Sequence, residues 1–224
     1  MFHERNIKNR LMEAKILIYA MRWYFFVPII LLVLIIPGYT VFSSYIGYGL
    51  EPVYLCTGFI TIIGKYCPAV GLLWEIWILQ FYIEDNGREI SYIYAKNKWG
   101  ILRIFLYFYC FIILIPIVGF MPFVGIDVAF YTYFWLCILS FWFYAFVYLL
   151  SYILNSVTLT IIPISMYVFF ILNPINQYAY RYSYMRLIYP VDLGGLIRGI
   201  IFLILAVGVC FLGKLMNKRY VAYP

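Results

Sequence analysis

Residues 83–98 read IEDNGREISYIYAKNK, and six of these sixteen are charged. Over the whole chain only 11% of residues are charged and 67% are hydrophobic, whereas soluble domains carry roughly a quarter charged residues. The stretch is thus a polar island between two apolar runs, 57–82 and 101–121, each long enough to cross a hydrocarbon core of about 30 Å as a helix. Working outward in both directions, apolar runs bounded by charge or by Pro and Gly give six spans, at about 20–41, 57–82, 101–121, 129–153, 157–173 and 194–214. The expected fold is an all-α integral membrane protein with six transmembrane helices, forming a single transmembrane domain over 1–224. Little chain is left for a separate globular catalytic domain.

Charge sets the expected orientation. Arg5, Lys8, Arg10, Lys15 and Arg22 precede or open the first span, Arg88, Lys96, Lys98 and Arg103 lie in or beside the island, and Lys214, Lys218 and Arg219 close the chain. Placing all of these in the cytoplasm, with Arg181, Arg186 and Arg198 outside, satisfies the positive-inside bias. Both termini are then cytoplasmic in a multi-pass protein of the cell membrane. The net charge of +7 follows from this topology, so no nucleic-acid partner is called for, while membrane lipid is an expected neighbour of the basic face.

Ahead of the first span, Ile7, Leu11, Ala14 and Ile18 fall on one helical stripe with Lys8, Arg10 and Lys15 off it. Residues 1–19 read as an amphipathic helix lying in the interface, or as the frayed start of span one. The run 23–39 is long and lacks a small-x-small cleavage site, so it reads as a retained span and not a signal peptide.

Metal and histidine chemistry find no support in the residues. His3 is the single histidine, and Cys56, Cys67, Cys110, Cys137 and Cys210 show no C-x-x-C spacing. Four of them sit in apolar runs and read as packing groups, with Cys56 in a loop. No metal site and no catalytic residue is expected. The run 58–66, GFITIIGKY, has five residues between its glycines and a Tyr in place of the Mg-binding hydroxyl, so it is not a phosphate-binding loop.

The island itself is built to start a helix. Asn86 can accept from freed amides while Glu89, three residues on, reaches back, a capping-box arrangement that starts a helix at Gly87. Ile90, Ile93 and Tyr94 then fall on one side, and Arg88, Lys96 and Lys98 accompany them. A plain connection between antiparallel spans needs only about two to eight residues. The longer island reads either as a protein-docking helix or as an amphipathic loop resting on lipid.

Glu84, Gly87, Glu89 and Ile90 together spell E-x-x-G-x-E followed by an apolar residue. This segment resembles the one that opens the coupling helix after the second span in permease subunits of ABC-2 type ABC transporters. Six spans, cytoplasmic ends, an amphipathic N-terminal helix and a Pro-flanked polar stretch between spans five and six resemble that family over nearly the whole chain. Where family members often continue with Pro and Arg, this chain has Tyr94, Ala95 and Lys96. The resemblance implies that residues 84–98 are a cytoplasmic coupling loop in which Glu84, Gly87, Glu89, Ile90, Ile93 and Tyr94 dock on a separate ATPase subunit. That subunit would hold the ATP and Mg, with no cofactor in this chain. A second permease copy, identical or paralogous, is implied as well. Residues 174–193 would form an extracellular re-entrant gate carrying Tyr178, Tyr180, Arg181, Tyr182 and Tyr184, which by composition alone are an aromatic and cationic interfacial segment.

Lys65 and Glu75 are the ionisable groups most nearly within a span, and such groups are costly enough to raise a functional reading. Lys65 can snorkel to the outer interface. Glu75 can line a transport path or the dimer seam, or it can serve as a structural acceptor. Gly195 and Gly199 permit close helix approach within the subunit or between subunits. The Tyr-, Phe- and Ile-rich interior offers no charged selectivity ring, which favours an amphipathic or hydrophobic cargo such as a peptide, a lipid-like molecule or a drug. An ATP-independent oligomeric channel is the alternative, though the spans give little polar lining for one. A membrane-embedded enzyme ranks lower, for want of a His-dependent catalytic set.

Overall fold

In the computed structural model the described residues are 2–48, 52–84, 99–172 and 193–221, with side chains described for 12–46, 55–56, 58–84, 99–166 and 197–217. Among them the chain is 97% helical, and five helices are long and apolar enough to cross a membrane. The protein is a multi-pass, all-α membrane protein.

Helix α1 spans Phe2–Met21. Arg22 then adopts a φ of 49°, a left-handed conformation costly for an L-residue, and the chain changes direction there. Helix α2 follows over 22–48 in four consecutive pieces: a 3-10 turn Arg22–Phe26, α-helix Val27–Ile30, a π-helical turn Leu31–Ile35 and α-helix Ile36–Tyr48. Pro37 has no amide to offer the Val33 carbonyl, and the widened π turn falls where that bond is missing. Helices α3 (Pro52–Ile83), α4 (Trp99–Val124), α5 (Ile126–Ile153), α6 (Val157–Leu172) and α7 (Leu193–Val221) complete the described chain.

Two connections are tight reversals. A single residue, Gly125, joins α4 to α5 with a φ of 87°, which only glycine adopts without strain. Between α5 and α6, Asn155 has a φ of 51°, the left-handed conformation that Asn tolerates at a helix end.

Helix α5 is the centre of the bundle and packs on α3, α4, α6 and α7. Glycines set how closely its neighbours approach. A Cβ at Gly213 of α7 would lie 2.5 Å from the Tyr148 ring, and one at Gly71 of α3 would lie 2.6 Å from the Tyr109 ring. Gly199 packs on Trp135 within the same chain, which gives it an intramolecular contact; Gly195 lies outside the described side chains. On the outer faces, Leu34 and Phe42 of α2, Phe111 and Val118 of α4, and Ile204 and Phe211 of α7 are exposed, as expected of surfaces solvated by lipid.

Several expected features shift. The expected fifth span is α6, sixteen residues long and hence roughly 24 Å of rise, shorter than the other five. Cys56 belongs to α3, because Pro52 opens that helix five residues ahead of the expected start. Among the described side chains of α1, Ala14, Leu17 and Met21 are buried, while Ile18 is exposed. The buried stripe is rotated because Glu13 faces inward to accept a hydrogen bond from Tyr82 at 2.7 Å.

Candidate functional site

Helix α3 and the turn that ends it carry two carboxylates nine residues apart, about 13 Å along the helix axis. Their surroundings differ completely. Glu84, in the turn that ends α3, reaches the start of α6. Its Oε1 accepts from the Ser156 hydroxyl at 2.6 Å and from the Val157 and Thr158 amides at 2.8 and 3.0 Å. Its Oε2 accepts from the Thr158 hydroxyl at 3.0 Å. Ser156 in turn accepts from the Leu159 amide at 3.2 Å, so the free amides at this helix start are shared between an ordinary N-cap and a distant carboxylate. A negative charge is favoured there by the helix dipole. Partial desolvation pulls the Glu84 carboxyl upward, but the donors from Ser156, Thr158 and Val157 outweigh it and hold the group below its ordinary pKa. The contact also puts the end of α3 and the start of α6 at one face of the bundle.

Glu75 is fully buried, and neither of its oxygens has a hydrogen-bond partner. It lies within electrostatic reach of Tyr144 and Tyr148 of α5 and Cys210 of α7. Ser151 Oγ is likewise buried without a hydrogen bond, and the Tyr148 hydroxyl and the Asn217 side chain are buried beside one another. Each such unpartnered group costs about 1–3 kcal/mol. Glu75, Tyr148 and Asn217 make the junction of α3, α5 and α7 a place kept polar at the expense of stability. Such a place calls for a function.

Around Glu75 the helix is held firmly. The Tyr109 hydroxyl donates to the Cys67 carbonyl, and the Tyr144 hydroxyl donates to the Gly71 carbonyl at 2.8 Å. These clamp α3 on either side of Pro68, Glu75's neighbour two turns earlier. On the far side the Trp74 indole donates to the Phe25 carbonyl at 3.0 Å and stacks on Phe25 and Phe108 at 5.3 and 5.6 Å. Lys65 is half-buried, nineteen residues before Glu84. Roughly 28 Å of helix rise separates the two, which brings Lys65 to the opposite interface.

The sequence singled out Glu75 and Glu84 but not their surroundings. A usable signal lay in α5, where Ser140, Tyr144, Tyr148 and Tyr152 recur at every fourth residue and all are buried, a hydroxyl stripe on one helical face. The other docking residues, Gly87, Glu89, Ile90, Ile93 and Tyr94, and the gate residues Tyr178, Tyr180, Arg181, Tyr182 and Tyr184, lie outside the described residues, as does the cap at Asn86. Among the described residues no group of three or more His, Cys, Asp or Glu could hold a metal ion. No family model, curated protein or solved structure matches this chain.

Proposed function

We propose that this chain is the transmembrane subunit of an ATP-driven exporter of the ABC-2 permease type. It works as a dimer in the cell membrane, with six spans and both termini cytoplasmic, and moves an amphipathic or hydrophobic cargo. ATP is hydrolysed by a separate subunit seated under residues 84–98. The observation that carries the reading is the Glu84 contact, in which the first residue of the E-x-x-G-x-E segment grips the start of α6 through four donors.

The contact gives the docking loop a mechanical output. Closure of the ATPase pair displaces the loop, and Glu84 passes that displacement to α6 as a near-rigid body. Helix α6 leads directly into residues 174–193, the proposed outer gate, so one push at the cytoplasmic face reaches the other side. The buried polar junction at Glu75 supplies the element with two arrangements that alternating access needs. The test is purification of the tagged chain from its native membranes. An ATPase is expected to co-purify and to be lost when Ile90, Ile93 and Tyr94 are replaced by Ser; absence of any ATPase, with function unaffected by the triple replacement, contradicts the reading.

A further inference from the structure

A groove of about 500 Å³ runs between α4, α5 and α7. Arg103 and Lys214, each half-buried, stand at its end near the α3–α4 face, and among the described residues no acidic side chain lines it. Cys210, which also lines the groove, lies within electrostatic reach of the buried Glu75 behind it and of both cations. Away from them the walls are apolar, and the exposed rings of Tyr107, Phe134 and Phe211 leave the groove open on the lipid-facing side. Phe134, Ile138 and Leu203 are shared with a second groove of about 280 Å³ that continues along α5 and α7 to Gly199. From Lys214 to Gly199 the rise is roughly 22 Å, more than one leaflet of a hydrocarbon core of about 30 Å.

We propose that this groove binds one anionic phospholipid, with its phosphate between Arg103 and Lys214 and an acyl chain lying along α5 and α7 past Leu203 and Val207. The charge pattern selects the ligand. Arg presents a planar fork that matches two phosphate oxygens, and Lys adds a compact charge on a flexible stem. Two cations on the groove wall, with no carboxylate among its described lining residues, favour a headgroup without a compensating ammonium. The continuous apolar length, open sideways to lipid, fits an acyl chain that enters from the bilayer. The site does not depend on the exporter reading, because it uses neither the docking loop nor an ATPase.

The full chain is purified in neutral detergent, and thermal unfolding is followed as phosphatidylglycerol, phosphatidylcholine of the same chains, or glycerol phosphate is added. Phosphatidylglycerol is expected to raise the Tm by several degrees, saturably and at a concentration at least tenfold below that of phosphatidylcholine. The Arg103→Gln/Lys214→Gln double variant should lose this preference. Val207→Trp, which fills the groove at an exposed position and leaves both charges in place, should weaken the shift at least fivefold and keeps the test open if the double variant does not fold. Equal shifts with the two lipids, full protection by glycerol phosphate alone, or an unchanged response in Val207→Trp overturns the proposal. So does an acidic amphipathic peptide that protects where phosphatidylglycerol does not.

Discussion

Glu84 in the turn that ends α3 and Glu75 within that helix share one side-chain chemistry, and the bundle treats them oppositely. Glu84 is exposed yet accepts four hydrogen bonds, while Glu75 is fully enclosed and accepts none. An exposed carboxylate can always fall back on water, so its four contacts are spent on position, fixing the loop end of α3 to the start of α6. A buried one has no such fallback, so leaving it unpartnered costs stability that better packing would recover. The first carboxylate ties two helices together, and the second is enclosed without a hydrogen bond.

The contrast can be broken most severely at the packing that encloses Glu75. Gly71→Leu sets a side chain where even a Cβ would lie 2.6 Å from Tyr109, and should cost about 3 kcal/mol, read as a collapse in the yield of monodisperse protein. Next in size, Glu84→Ala should cost about 1–2 kcal/mol, as loss of a helix cap does, measured by thermal unfolding, and should reduce export more than stability. Glu75→Leu should go the other way, gaining about 1 kcal/mol by replacing a buried polar group that has no hydrogen bond with an apolar one. Export in Glu75→Gln should fall at least tenfold; a wild-type rate there would assign Glu75 to packing.

The smallest effect concerns pH. Because the folded state holds the Glu84 carboxyl below its ordinary pKa, its contribution is full above the unfolded-state pKa and fades as pH falls through the folded one. Wild-type protein should therefore lose a little more stability than Glu84→Gln on acidification through the carboxylate range, a difference seen in parallel unfolding curves at each pH.

The apolar spans were legible in the sequence because membrane helices must be long, apolar and self-satisfied in their backbone. Their ends moved outward by a few residues, as at Pro52 and Ile126, where apolar interface residues continue the helix. Glu75 was legible as a charge at membrane depth, and Glu84 as part of a motif. Their roles were not, since the Ser156–Thr158 contact spans seventy-odd positions and no local pattern encodes it. The same holds for Arg103 and Lys214, which read as loop and tail charges until α4 and α7 bring them to one groove.

The central claim is that force from an ATPase reaches the bundle through Glu84. A fluorescent amino acid introduced at Leu159, exposed in the first turn of α6, reports that helix directly in membranes containing the co-purified ATPase. Addition of ATP should shift its emission in the wild-type chain, and Glu84→Gln should abolish the shift while the ATPase remains bound. An equal shift in both chains, or none in either, would contradict the account.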